Sequence, residues 1–199
     1  MTAPFLIRLV KGDITRVQSS MLVVSHFNGV NPVGAQAAVD QAMGGAITRR
    51  AASGAINGRF ASTHFLPAAT SSLAAGSVLV VGLGDPERFV LDRLPEVGAA
   101  IVDAVATFRL RDAATTLHST GSTGIDHERA ARLLVGGVLE ALRSLPGAGC
   151  FRELVIVERD ATKLAKIERG LRAAASAPDL HVYVDHDEVP SPPLPVTSA

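Results

Sequence analysis

The sequence predicts an α/β fold in which helices cover both faces of a sheet. Apolar runs of about four to eight residues alternate along the chain with longer segments of helical period. Several of the short runs are dense in Val, Ile and Leu without strict polar alternation, as strands covered on both sides are. The length, 199 residues, suits a single domain with a sizeable buried core.

Strands are expected at Phe5–Val10, Met21–His26, Thr63–Pro67, Ser77–Gly82, Thr115–Ser119, Leu154–Glu158 and His181–Val184. Four helical segments lie between them. The first, Gly34–Ala52, is alanine-rich and interrupted at Gly44-Gly45. Leu91–Phe108 places Leu94, Val97, Ile101, Val105 and Phe108 on one apolar stripe, and His127–Leu145 does the same with Ala131, Leu134, Val138 and Leu142. Asp160–Ala175 opens on an N-cap residue, Asp160, and puts Leu164, Ile167 and Leu171 on one side. No internal repeat is present. Residues 1–188 read as one domain, and the proline-rich 189–199 (VPSPPLPVTSA) reads as an extended tail or linker.

Composition excludes several classes of function. Lys and Arg number 19, as do Asp and Glu, so the chain lacks the footprint of a nucleic-acid or anionic-membrane binder. A single cysteine, Cys150, supports neither an internal disulfide nor a structural zinc site, which suggests a reducing, cytoplasmic setting. The opening MTAPFLIRLVKGDI is not built like a secretory signal, and no uninterrupted apolar run approaches the length of a membrane span.

In such folds ligands settle beyond the carboxyl ends of the strands. Three glycine-bearing loops fall there: Lys11-Gly12-Asp13-Ile14-Thr15, Gly82-Leu83-Gly84-Asp85, and the stretch from His118 to Asp126. The third carries Gly121 and Gly124 with Ser122 and Thr123 between them, ahead of a helix start. Small residues there let backbone N–H groups converge, and the helix dipole adds positive potential, which is chemistry for a phosphate or diphosphate. A plain tight turn with a hydroxyl cap is the simpler reading of the same spacing. The usual nucleotide fingerprints are absent, and Gly82-Leu83-Gly84 lacks the third glycine of a dinucleotide loop.

Few residues invite a catalytic reading. His26 and Asn28 end a strand beside the presumed cleft and are the candidates for a base or a ligand-orienting group. A strand-end histidine with a satisfied hydrogen bond is the simpler account of His26, and of His118. His181, Asp185, His186, Asp187 and Glu188 match no zinc spacing and read as a solvated acidic turn. Asp85 reads as a cap for the turn from Pro86, and Asp40 as a cap or a packed acid. No G-x-S-x-G elbow exists, and Cys150 has no histidine arranged with it in sequence. Neither a metal nor a cofactor is called for.

Two segments carry a family resemblance. Lys11-Gly12-Asp13-Ile14-Thr15, and Ser122-Thr123-Gly124-Ile125 before a helix with Ala130-Ala131, resemble the signature segments of macrodomains. Gly45-Ala46-Ile47 with Arg50-Ala51-Ala52 is similar to that family's first helix. A closer similarity, from about residue 8 to residue 145, is to the macro-like N-terminal domain of leucyl aminopeptidases. The same module occurs in bacterial proteins carrying caspase-like CHAT protease domains. Ser25-His26-Phe27, Ala38-Val39-Asp40 with Gly44-Gly45, Val80-Val81-Gly82-Leu83-Gly84, and Ala130 through Gly136-Gly137 carry it.

The resemblance implies a three-layer α/β/α macrodomain-like fold with a mixed, mostly parallel sheet of about six or seven strands. It implies Asp13 and Ile14 on the adenine side of an ADP-ribose-like ligand. Ser122, Thr123, Gly124, Ile125 and Asp126 would take the diphosphate side. The chain departs from the hydrolytic members: Ser25-His26-Phe27-Asn28 replaces an Asn-Ala-Ala-Asn run, and Asn31-Pro32-Val33-Gly34-Ala35 replaces a glycine triplet. His26 and Phe27 are bulky enough to fill the pocket. The aminopeptidase likeness brings no peptidase chemistry, because the metal-binding Asn-Thr-Asp-Ala-Glu-Gly-Arg segment is absent. Three functions stand in order: a module binding a nucleotide or ADP-ribose-type ligand, a ligand-free regulatory domain acting as a homo-oligomer or tethered to an effector, and an ADP-ribosyl hydrolase positioning water with Asn28.

Overall fold

A computed structural model describes residues 5–118, 125–174 and 180–185. The strands are β1 (Phe5–Lys11), β2 (Ser19–Phe27), β3 (Thr63–Pro67), β4 (Ala75–Gly84), β5 (Asp112–Thr115), β6 (Glu153–Glu158) and β7 (Leu180–Asp185). The α-helices are α1 (Gly34–Ala42), α2 (Ala46–Ala52), α3 (Leu94–Thr107), α4 (His127–Ser144) and α5 (Ala161–Ala174). The strands form one sheet in the order β3-β4-β2-β5-β6-β1-β7. Every pairing is parallel except that of β3 with β4. No helix among the described residues is long and apolar enough to cross a membrane.

Successive strand residues point to opposite faces, and the core divides accordingly. Ile7, Leu9, Met21, Val23, Leu79, Val81, Leu154 and Ile156 pack with the buried faces of α3, α4 and α5. Val10, Leu22, Val24, Val78, Val80, Val155 and Val157 pack with Val39 of α1 and Ile47 of α2. The result is the three-layer α/β/α arrangement the sequence predicts. Fully burying one such aliphatic side chain contributes roughly 1.5–3 kcal/mol, so both faces are needed to offset the entropy of ordering the chain.

The first helical segment is two helices. Gly44 and Gly45 both take positive φ, at 63° and 79°, which turns the chain between α1 and α2. Gly45 has no side chain with which to cap α2, and Asp40 supplies the acceptor from α1. Its carboxylate takes the Ile47 amide at 2.7 Å, the Thr48 amide at 3.2 Å and the Thr48 hydroxyl. Asp160 caps α5 as expected, accepting from the amides of Thr162 and Lys163 at 2.8 and 2.9 Å. On the other face α3 and α4 touch backbone to backbone. A Cβ on Gly98 would stand 2.5 Å from the Leu134 carbonyl oxygen, and one on Gly137 would run into Pro95.

Two expectations are corrected. The fifth strand is Asp112–Thr115, three residues ahead of the expected Thr115–Ser119. It lies between β2 and β6 with Ala113, Ala114 and Thr115 buried, where alanine fits despite its weak strand preference. Its start is tied to β2 by Asp112, which accepts from Ser19 Oγ at 2.7 Å and from Ser20 N and Oγ at 2.7 and 2.5 Å. His118 therefore lies beyond the strand, and Ser119 lies outside the described residues. The second correction concerns Phe108, expected on the buried stripe of α3. It follows the helix, is 43% exposed and stacks on Phe65 at the sheet edge with ring centroids 4.0 Å apart. The proline-rich 189–199 also lies outside the described residues.

Candidate functional site

The parallel strands end together, and their carboxyl ends open onto a cleft of about 600 Å³. Gly12, Asp13 and Ile14 after β1, Ser25 and Phe27 of β2, Thr116 and Leu117 after β5, and Glu158 and Arg159 after β6 bound it. Val30, Asn31 and Val33, which lead into α1, and Gly34, Ala35 and Gln36 of its first turn close the far side. This is the position at which parallel α/β sheets hold ligands.

Asp13 is built into the chain's exit from β1. Its Oδ1 caps a short 3-10 turn over Ile14–Arg16, accepting from the Thr15 amide at 3.0 Å and the Thr15 hydroxyl at 2.8 Å. Its Oδ2 faces Arg159 Nη1 at 3.7 Å, a partly exposed pair worth little in stability. The Gly12 amide donates to the Glu158 carbonyl at 3.1 Å, so the ends of β1 and β6 are fastened side by side. Ile14 is buried beneath the cleft against Val157 and Val24.

The other lip is built on β2. Successive side chains of β2 point to opposite faces, so those of His26 and Phe27 part. His26 faces α1, is 3% exposed, and receives the Gln36 amide on Nδ1 at 2.9 Å. Burial lowers its pKa below the ordinary histidine value, with the Gln36 bond opposing. Phe27 does line the cleft and packs edge-on against Phe89, centroids 5.6 Å apart. Asn28 turns outward, its amide donating to Asp85 Oδ1 at 2.9 Å. Asp85 thus fastens Asn28, whereas the expectation was a cap for the turn at Pro86, which has no side-chain cap bond. Neither His26 nor Asn28 is among the residues lining the cleft.

Of the residues predicted for the diphosphate side, Gly121, Ser122, Thr123 and Gly124 lie outside the described residues. Ile125 is half-buried. Asp126 is exposed and caps α4, accepting from the Arg129 amide at 3.0 Å. His127 donates from Nδ1 to the Ile125 carbonyl at 2.8 Å. His118, directly after the cleft residue Leu117, is 1% exposed, with Nε2 3.2 Å from the Thr115 hydroxyl. Complete burial pulls its pKa down to about 4. Among the described residues no group of three or more His, Cys, Asp or Glu stands where it could hold a metal ion. His186, Asp187 and Glu188 lie outside them.

The end of the cleft at Glu158, Arg159 and Lys163 escaped the sequence reading. The signal was available: Glu158-Arg159 ends β6 as Lys11-Gly12 ends β1. The segment carries no glycine, and glycine was the feature used to select loops.

Residues 23–144 match the model of the cytosol aminopeptidase family, N-terminal domain. The chain belongs to that domain family. No curated relative matches the sequence. Among solved structures, a Trypanosoma brucei macrodomain in complex with ADP-ribose is 21% identical with a TM-score of 0.65, over 83% of this chain and 68% of that one. An Oceanobacillus iheyensis macrodomain mutant with ADPR is 15% identical at a TM-score of 0.67, over 85% of this chain and 93% of that one. A tomato leucine aminopeptidase mutant is 14% identical at a TM-score of 0.65, over 87% of this chain. Of the tomato enzyme's own length the match spans 37%. The aminopeptidase N-terminal domain and the macrodomains therefore share one fold with this chain, as the sequence resemblance implied.

Proposed function

We propose that this aminopeptidase-type N-terminal domain is a binding module whose cleft takes a nucleotide of the ADP-ribose type through its base and diphosphate. The observation that carries the reading is the cleft itself, which runs from Asp13 to the first turn of α1. At one end Ile14 and Val157 offer an apolar surface to a base, and the Asp13 carboxylate offers an acceptor for an exocyclic amine. At the other end the first turn of α1, Gly34–Gln36, lines the cleft, and its N-cap residue Val33 provides no side-chain bond to the amides there. Those amides and the helix dipole suit an anionic group. The macrodomain neighbours bound to ADP or ADP-ribose support the same assignment. The diphosphate role of Gly121, Ser122, Thr123 and Gly124 rests on the sequence resemblance, and Asp126, already the cap of α4, has a structural use of its own.

Isothermal titration of the purified chain with ADP tests the reading. Saturable, stoichiometric binding is expected, and no heat at millimolar ligand defeats it.

The family match favours a second reading, a regulatory or oligomerising domain without a ligand. Light scattering coupled to size exclusion separates the two, since a stable oligomer that ignores nucleotides supports only the second. Hydrolysis has no such support, because Asn28 is committed to Asp85 and His26 to Gln36.

A further inference from the structure

The two halves of the cleft differ in chemistry. Beyond β1 and β6 it is floored by Ile14 and Val157, and Asp13, Glu158, Arg159 and Lys163 supply hydrogen-bonding and charged groups. Beyond β2 and along α1 it presents Val24, Phe27, Val30, Val33, Ala35 and Ala38. Ser25 and Asn31 are the polar side chains on that side besides Gln36, whose amide is held by His26. In the strand order β2-β5-β6-β1 the two halves stand three places apart, about 14 Å at the usual strand spacing.

A ligand with its base at Asp13 runs toward the apolar half. About 14 Å accommodates a nucleoside and its diphosphate, so whatever follows the second phosphate meets Phe27 and the valines. A sugar there would give up water from its hydroxyls against a wall that, among the described residues, offers few polar side chains for them. Phe27 is braced by the edge-on contact with Phe89 and by its packing against the core on the α3 and α4 side of the sheet, so it does not simply swing away.

Resting on the nucleotide reading above, we propose that this cleft selects a nucleoside diphosphate over a nucleotide carrying a second sugar, with Phe27 as the residue that sets the difference. The discrimination comes from desolvation of hydroxyls and from the volume of one aromatic ring, and effects of that kind amount to about tenfold or more.

The test is a pair of titrations on the wild-type chain, one with ADP and one with ADP-ribose, repeated on Phe27→Ala and Phe27→Leu. ADP is expected to bind the wild type at least about tenfold more tightly than ADP-ribose. Shortening Phe27 is expected to bring ADP-ribose to within about threefold of ADP, chiefly by improving ADP-ribose. Equal or tighter binding of ADP-ribose to the wild type overturns the proposal. So does an unaltered ratio in a variant that still binds ADP. Should Phe27→Ala fail to fold, Phe27→Leu keeps an apolar contact with Phe89, and the wild-type ratio decides without either variant. If the folded wild type binds neither compound, the nucleotide reading itself fails, and that result is distinct from a wrong preference between the two.

Discussion

At the carboxyl ends of its strands the chain leaves a cleft of about 600 Å³, and at the amino ends a more open basin of about 780 Å³. The basin is the more polar of the two, with Arg8, Arg16, Gln18, Ser19, Ser20, Asp112 and Glu153 around it. Three of its four charged residues, Arg8, Asp112 and Glu153, are engaged in holding the sheet together. Arg8 Nε donates to Glu153 Oε1 at 2.8 Å across the β1–β6 pairing. Asp112 collects three short bonds from Ser19 and Ser20, binding the start of β5 to the start of β2. Burial raises the Asp112 pKa, but the bonds from Ser20 and Ser19, with Arg8 nearby, outweigh it and hold the carboxyl below its usual value. At the opposite end the strand termini are joined through backbone, as between Gly12 and Glu158, and the cleft side chains bond within their own turns, Asp13 to Thr15 and Glu158 to the Asp160 amide. Polarity alone does not mark a site. What differs is whether the polar groups tie one strand to another, as Asp112 and Arg8 do, or only cap the turns beside the hollow, as Asp13 does.

Four substitutions or titrations sharpen that contrast. The largest effect belongs to neither end and measures the layer that supports both. Gly137→Ala forces a methyl into Pro95 and is expected to cost about 3 kcal/mol in denaturant unfolding, whereas Gly136→Ala, with open space around it, costs nothing or stabilises slightly. Next is His118, the buried ring beside the cleft. Its folded pKa of about 4 lies below the unfolded value near 6.5, so the unfolded chain takes up the proton first. Stability is therefore full above pH 6.5 and falls as the pH drops toward 4, by up to about 3 kcal/mol. Thermal unfolding across that range checks it, and His118→Gln, which retains a donor toward Thr115, is expected to flatten the slope.

At the amino end, Asp112→Ala strands the Ser19 and Ser20 donors and is expected to cost about 2 kcal/mol while leaving nucleotide affinity unchanged. At the carboxyl end, Asp13→Asn should show the reverse. Asparagine keeps the acceptor that caps Ile14–Arg16, so stability moves by less than about 1 kcal/mol, while ADP affinity falls about tenfold for want of the carboxylate. If Asp112→Ala weakens ADP as much as Asp13→Asn does, the distinction between the two ends is wrong.

The layers were legible from periodicity because burial on both faces leaves a direct trace in composition. Val78–Val81 and Leu154–Val157 are apolar on both sides of the pleat, and the α3 and α4 stripes have no other use than packing. The break at Gly44-Gly45 was equally visible. The strand at Asp112 was not, since Ala113 and Ala114 look like helix or loop until β2 and β6 lie on either side of them. The turn at Gly12–Ile14 stood out through its glycine and acid, yet the fate of each candidate beside the cleft was hidden. Whether His26 faces the hollow or α1 depends on the parity of the pleat.

By itself the sequence determined the strands and helices apart from the one at Asp112, the two-faced burial of the sheet and the family to which the domain belongs, because those follow from the spacing of apolar residues and from short local signatures. Only the tertiary structure decided that Asn28 serves Asp85, that His26 serves Gln36, that Glu158 and Arg159 stand beside Asp13, and that Phe27 lines the cleft. These are contacts between side chains distant in sequence or divided by a strand's alternation. Their partners become neighbours only when parallel strands, drawn from both ends of the chain, finish at the same edge.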